Sequence, residues 1–99
     1  MTEIFSVEKL AIIIPCYNEE NRLDLNQFES FYRELENLHF FFVNDGSSDK
    51  TLDVLIKFSE DKSRVDVINL SKNKGKAEAI RSAVQKIIQL DNYNYIGYF

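Results

Sequence analysis

Four short apolar runs alternate with three longer amphipathic ones along this chain. Leu10-Ala11-Ile12-Ile13-Ile14 is a continuous apolar run stopped by Pro15, the pattern of a strand buried on both faces. Phe40-Phe41-Phe42-Val43 is a second, ended by Asn44-Asp45-Gly46. Val65-Asp66-Val67-Ile68-Asn69-Leu70 alternates in part and suits a third strand, and the aromatic stretch from Tyr93 to Phe99 suggests a fourth. Between them the spacing turns helical. Phe28, Phe31, Tyr32, Leu35 and Leu38 share one helical face, with Asn26 and Glu29 as a capping pair. Leu52, Leu55 and Ile56 mark a second helix capped by Ser48 or Asp49. Ala77, Ile80, Val84, Ile87 and Ile88 mark a third, starting just after Gly75.

This β-α-β-α-β-α-β order predicts an α/β fold. Near-continuous apolar strands separated by helices imply a mostly parallel sheet with helices on both faces. Right-handed crossovers make it an open, doubly wound, Rossmann-like sheet.

Composition narrows the picture. The 99 residues hold three Gly and one Pro, which excludes collagen-like, linker-like and low-complexity readings. Eight Phe and five Tyr give enough apolar mass for a core, and the net charge of −4 argues against a generic nucleic-acid binder. Cys16 stands alone, so no disulfide framework or cysteine-rich metal site is expected, and a reducing, intracellular setting fits. Residues 1–8 lack the basic and apolar regions of a signal peptide, and no apolar run reaches the ~20 residues of a membrane span. The chain stops at Tyr98-Phe99 on an apolar strand with no polar tail, which reads as a domain cut short.

In open parallel sheets ligands gather beyond the carboxyl ends of the strands, at a topological switch point. Here those ends carry Pro15-Cys16-Tyr17-Asn18-Glu19-Glu20, Asn44-Asp45-Gly46-Ser47-Ser48-Asp49 and Ser71-Lys72-Asn73-Lys74-Gly75-Lys76. Three of the four scarce Pro and Gly residues fall in these turns. Asp45 and Glu19 are acceptors for a base N–H or a ribose hydroxyl, Tyr17 offers a ring to a planar base, and Lys72, Lys74, Lys76 and Arg81 offer charge to a diphosphate at the third helix's N-terminus. Each has a plainer reading as well. Asp-Gly-Ser-Ser-Asp is an ordinary turn feeding a helix, the Lys run is a solvated loop, and Tyr17 is a core aromatic. Joint placement on one edge favours a site.

Several familiar sites are absent. No Gly-x-Gly-x-x-Gly follows the first strand, Leu70 stands where a phosphate loop needs its first glycine, and Ala77 follows Gly75-Lys76. Ser71-Lys72-Asn73 after the third strand lacks the Asp of a receiver-type domain. Cys16 follows the first strand while His39 precedes the second. Parallel neighbours therefore hold them roughly 16 Å apart, too far for a thiol–imidazole pair. His39 is then a boundary residue and Cys16 a small buried filler.

Three motifs in order carry a resemblance. Ile12-Ile13-Ile14-Pro15-Cys16-Tyr17-Asn18-Glu19-Glu20 resembles the opening of the family 2 glycosyltransferases, which have the GT-A fold. Phe42-Val43-Asn44-Asp45-Gly46-Ser47-Ser48-Asp49-Lys50-Thr51 resembles their second motif, and Asn73-Lys74-Gly75-Lys76-Ala77-Glu78-Ala79-Ile80-Arg81 their third, in a form closest to the polyprenyl- or dolichyl-phosphate sugar transferases. The resemblance implies that residues 1–99 are the N-terminal, nucleotide-sugar-binding part of one GT-A domain. It implies a UDP- or GDP-linked sugar as donor and an acceptor for which polyprenyl phosphate is the first choice. It also implies an inverting transfer in the full-length protein, with no activity from this stretch alone, and a location in the cytoplasm or at the cytoplasmic face of a membrane.

Carried over by position, Pro15, Tyr17 and Glu19 wrap the nucleoside, Asp45 contacts base or ribose, and Lys76 and Arg81 hold phosphates. The family places an Asp-x-Asp motif for Mg²⁺ or Mn²⁺ directly after the fourth strand; Tyr95-Ile96-Gly97-Tyr98-Phe99 resembles the lead-in to it, and the motif itself is absent. Asn44 stands where the family commonly has a first Asp. The alternative function is a non-catalytic α/β module that binds a nucleotide or a partner.

Overall fold

A computed structural model describes residues 8–99; the reading of residues 1–7 lies outside them. The element order is β1 (Leu10–Cys16), α1 (Leu25–Glu34), β2 (Leu38–Asp45), α2 (Thr51–Ser59), β3 (Val65–Leu70), α3 (Lys76–Leu90) and β4 (Tyr95–Tyr98). All strand pairs are parallel, in the order β3-β2-β1-β4. The chain thus walks from β1 to β2 to β3, then crosses back to place β4 on the other side of β1. That reversal beside β1 is the switch point.

The apolar runs explain the layers. Successive side chains point to opposite faces, so Phe41 and Val43 join Ala11, Ile13 and the α3 residues Ala79, Ala83 and Ile87 on one face. Phe40 and Phe42 join Ile14, Cys16, Val65, Phe28 of α1 and Leu55 of α2 on the other. Phe28 meets Phe40 and Phe42 edge-on, with ring centres 5.5 and 5.2 Å away. Each of these fully buried rings contributes roughly 1.5–3 kcal/mol over exposure.

The element ends depart from the sequence reading in several places. Pro15 lies inside β1 and does not stop it. The Ile13 carbonyl accepts from Phe99 N–H on the β4 side, so Pro15 lies just past the last register pair with β4, Ile13 with Tyr98, where its missing N–H interrupts no described pairing of β1 with β4. Asp24, not Asn26, caps α1, its carboxylate accepting from Gln27 N–H at 3.2 Å. Leu38 belongs to β2. Lys50 holds the cap position of α2, while the Asp49 carboxylate one residue earlier accepts from both the Thr51 N–H and its hydroxyl. On α3 the buried positions are Ala79, Ala83 and Ile87; Ala77 and Ile88 face solvent. β4 is shorter than expected and leaves Tyr93 in the turn before it.

Candidate functional site

The register sets the site. Cys16 pairs with Asn44, and Asp45 with Leu70, so the first three strands finish level with one another. The loops that leave them are then tied together by short polar side chains. Asn18 takes a left-handed conformation (φ 51°) and turns its amide into the second loop. Its Oδ1 accepts from Ser48 N–H at 2.8 Å, while its own N–H donates to Ser47 Oγ at 3.0 Å. Glu19 N–H donates to Thr51 Oγ1 at 2.8 Å, Glu20 N–H to Asp49 Oδ2 at 3.2 Å, and Lys50 N–H to Glu20 Oε1 at 3.1 Å. The hydrogen bond from the Thr51 hydroxyl holds the Asp49 carboxyl below the usual carboxylate range.

The second loop grips the third in the same way. Asp45 is 3% exposed, and its carboxylate accepts from Lys74 N–H at 2.8 Å, Gly75 N–H at 2.9 Å and Asn73 Nδ2 at 3.0 Å. Gly46 follows with φ 63°, and a Cβ there would stand 2.1 Å from the Asn73 nitrogen. Only glycine lets the two backbones lie this close. Asn44, beside it, donates from Nδ2 to Asn69 Oδ1 at 2.9 Å and leaves its own buried Oδ1 without a partner.

The three loops and the end of the chain enclose a groove of about 360 Å³, lined by Pro15, Cys16, Tyr17, Glu19, Asp45, Asn73, Gly75, Lys76 and Phe99. Five of the six residues picked from the sequence meet here: Pro15, Tyr17, Glu19, Asp45 and Lys76. Tyr17 is 46% exposed, so it is a surface ring and not a core aromatic. Lys76 opens α3 with its Nζ 5.7 Å from the Tyr98 ring centre. Arg81 is elsewhere. Five residues along α3 from Lys76, it sits about 140° around the helix and pairs with Glu78 Oε1 at 2.8 Å on the exposed surface. The tying residues Asn18, Ser47, Thr51 and Asn73 are the part that motif reading left without a role.

Cys16, on the groove floor, is 1% exposed. Burial, with the Glu19 charge behind it, pushes its thiol up to about 12, so it is a filler and not a nucleophile. His39 pairs with Ala11 in the register, five positions short of Cys16 and at the other end of the sheet. There its ring stacks on Phe41 at 4.3 Å; Nε2 meets Asp66 Oδ2 and Nδ1 meets the Tyr93 hydroxyl, both at 2.6 Å.

Among the described residues, no group of three or more His, Cys, Asp or Glu is placed to hold a metal ion. With the Asp45 oxygens already engaged, the described residues do not form a metal site. No helix among them is long and apolar enough to cross a membrane.

A family model described as glycosyl transferase family 2 matches residues 11–88. The chain is 39% identical over 83 residues to an uncharacterized glycosyltransferase of Synechocystis, covering 77% of this chain and 25% of that protein. It is 33% identical over 99 residues to the dolichyl-phosphate β-glucosyltransferase of Mus musculus, covering 85% and 31%. The chain therefore spans between a quarter and a third of the length of these curated relatives. Among solved structures, a mannosyltransferase of Pyrobaculum calidifontis in complex with GDP-mannose and Mn²⁺ superposes with a TM-score of 0.67 at 21% identity, over 80% of this chain and 24% of that one. That likeness establishes the GT-A, Rossmann-like fold expected from the three motifs.

Proposed function

Because this chain belongs to glycosyl transferase family 2, we propose that its groove receives the nucleoside diphosphate of an activated sugar, which the full-length protein transfers to an acceptor. The observation that carries this reading is the convergence of three strand-end loops at the β1–β4 switch point, with a ring, a carboxylate and a lysine on one groove. Tyr17 presents its exposed face to the base. Glu19 accepts from a ribose hydroxyl or a base N–H. The diphosphate lies toward Lys76, where the first-turn N–H groups of α3 have no partners inside the helix. Pro15 stiffens the wall beside the nucleoside.

We place residues 1–99 in the N-terminal part of one such domain. Mg²⁺ or Mn²⁺ would need carboxylates other than those of residues 8–99, and when bound would supply positive charge beside a diphosphate. The acceptor is a lipid phosphate of the polyprenyl type, met at the cytoplasmic face of a membrane. The likeness to the mouse dolichyl-phosphate β-glucosyltransferase supports the acceptor, and the GDP-mannose and Mn²⁺ of the Pyrobaculum complex support the donor and the metal. Calorimetric titration of the full-length protein with UDP and GDP, with and without Mn²⁺, tests the proposal. One of the two binds and Mn²⁺ tightens it; no binding of either under any condition sinks it.

A further inference from the structure

Tyr17 is the ring offered to the base, yet packing holds it only in part. The residue is 46% exposed, so the direction of its side chain depends on the backbone that carries it. That backbone is fixed from the second loop by a reciprocal set of bonds. Three consecutive amides of the first loop donate to side chains of the second: Asn18 N–H to Ser47 Oγ at 3.0 Å, Glu19 N–H to Thr51 Oγ1 at 2.8 Å and Glu20 N–H to Asp49 Oδ2 at 3.2 Å. In return, Ser48 N–H donates to Asn18 Oδ1 at 2.8 Å and Lys50 N–H to Glu20 Oε1 at 3.1 Å.

Both directions of this exchange meet at Asn18. Its N–H pins the peptide that follows Tyr17, and its Oδ1 takes the Ser48 hydroxyl at 3.3 Å as well as the Ser48 amide. At φ 51° the residue stands in the left-handed region, which Gly, Asn and Asp enter with least strain. The far side of the joint is firm. Thr51 is 1% exposed, and its hydroxyl donates to the Asp49 carboxylate, so the second loop is anchored and the first is held to it. Asn18 itself is not among the residues lining the groove.

We infer that Asn18 is a positioning residue for the nucleoside: by locking the first loop to the second, it sets the direction in which Tyr17 meets the base. This rests on the nucleotide reading of the groove and makes base recognition depend on a side chain outside it.

Two substitutions at Asn18 separate backbone from side chain. Asn18→Gly keeps the left-handed conformation and removes the acceptor; Asn18→Asp keeps both. In the full-length protein, calorimetry with whichever of UDP and GDP binds reads the effect. Asn18→Gly weakens that nucleotide about tenfold, the scale of one lost hydrogen bond, and Asn18→Asp stays within about threefold. Action through Tyr17 demands more than a loss. In a Tyr17→Leu background, itself weakened, Asn18→Gly costs less than about a further twofold, because no ring is left to aim. The urea midpoint of Asn18→Gly stays within about 0.5 M of the parent's, as water replaces bonds lost at the surface. The ligand-free protein gives an independent readout: hydrogen exchange at the Glu19 and Ser48 amides speeds up about tenfold in Asn18→Gly while Phe41 in the core is unchanged.

A loss that persists undiminished in the Tyr17→Leu background overturns the inference, as does an equal loss in Asn18→Asp or unchanged exchange at Glu19 and Ser48. If the parent binds neither nucleotide, or Tyr17→Leu binds as well as the parent, the groove reading has failed and the inference falls with it; both show before Asn18 is touched. Should Asn18→Gly not fold, Ser47→Ala opens the same joint from the second loop. It weakens the nucleotide about threefold in the parent and leaves Tyr17→Leu binding unchanged; equal losses in the two backgrounds overturn the assignment.

Discussion

Replacing Gly46 by alanine tests how tightly the second and third loops are pressed together. The added methyl would lie 2.1 Å from the Asn73 nitrogen, 2.3 Å from the Lys72 carbonyl carbon and 2.8 Å from the Asn73 Cα. All three are backbone atoms, so no side chain can swing aside; one loop has to move by more than an ångström. Two costs add. A non-glycine residue at φ 63° loses roughly 1–2 kcal/mol, and overpacking of this kind costs typically about 1–3 kcal/mol. The sum, about 2–5 kcal/mol, is a large part of the 5–15 kcal/mol that holds a typical domain together. With a loss of about 3 kcal/mol and a urea dependence of about 1.5 kcal/mol per molar, the unfolding midpoint falls by about 2 M. Gly97→Ala is the matched control: its methyl would meet the Ile12 Cδ1 at 3.5 Å, an ordinary contact, and its midpoint stays within about 0.5 M of the parent's. Urea unfolding followed by far-ultraviolet circular dichroism reads both. If Gly46→Ala shifts no more than Gly97→Ala, the loops are not in the close contact described and their coupling through it is refuted.

Two further predictions concern the single histidine and the single cysteine. Burial holds the His39 ring below the ordinary imidazole value of 6.5, with Arg64 adding to the effect and the Asp66 hydrogen bond opposing it without overcoming it. The unfolded chain therefore binds the proton first as pH falls, so the stabilisation is present above about pH 6.5 and drains away below it, toward the lower folded value. No other side-chain type has its ordinary pKa in this window, and the carboxylates of Glu29 and Asp49, held low by bonds from Lys62 and Thr51, are lost only in stronger acid. The urea midpoint falls from pH 7.5 to 5.5 in the parent and much less in His39→Gln; parallel falls in both refute the assignment. Cys16, buried and raised to about 12, resists iodoacetamide at pH 8 in the folded protein and reacts promptly in urea. Prompt labelling of the folded protein contradicts the described packing.

The sheet was readable because Phe40-Phe41-Phe42-Val43 and Leu10–Ile14 have no polar face to show water. Such segments are stable only between two layers. The helix ends were harder. Asp24 and Asn26 are equally good capping residues, and which one takes the role depends on where Leu23 and Leu25 pack under the sheet. On α3, the spacing suggested a stripe through Ala77, Ile80, Val84, Ile87 and Ile88, of which Ile87 is buried. The surface made by Phe41 and Val43 instead takes the small Ala79 and Ala83 one helical turn apart. Three loops with chemistry at their tips were likewise legible, and five of the six chosen residues line one groove. The working partners of Asp45 were not, because Asn73, Lys74 and Gly75 are distant in sequence and brought close only by the β2–β3 register. Arg81, chosen with Lys76 from the third motif, lies on another face of the helix and pairs with Glu78.

The place of β1 between β2 and β4 also fixes when this groove comes into being. Translation delivers β1 through β3 first, and the layer under α1 and α2 can collapse from these alone, since Phe28, Phe40, Phe42 and Leu55 have all been made. The opposite layer must wait. Ala11, Ile13, Phe41 and Val43 stay bare until Ala79, Ala83 and Ile87 arrive, and the Ile13 carbonyl waits for Phe99. A nascent chain leaving the ribosome thus shows one finished and one uncovered apolar face, the kind of surface that chaperones engage. The groove lies on the late seam, where β1 meets β4, so its occupancy marks a chain that has completed the crossover through α3.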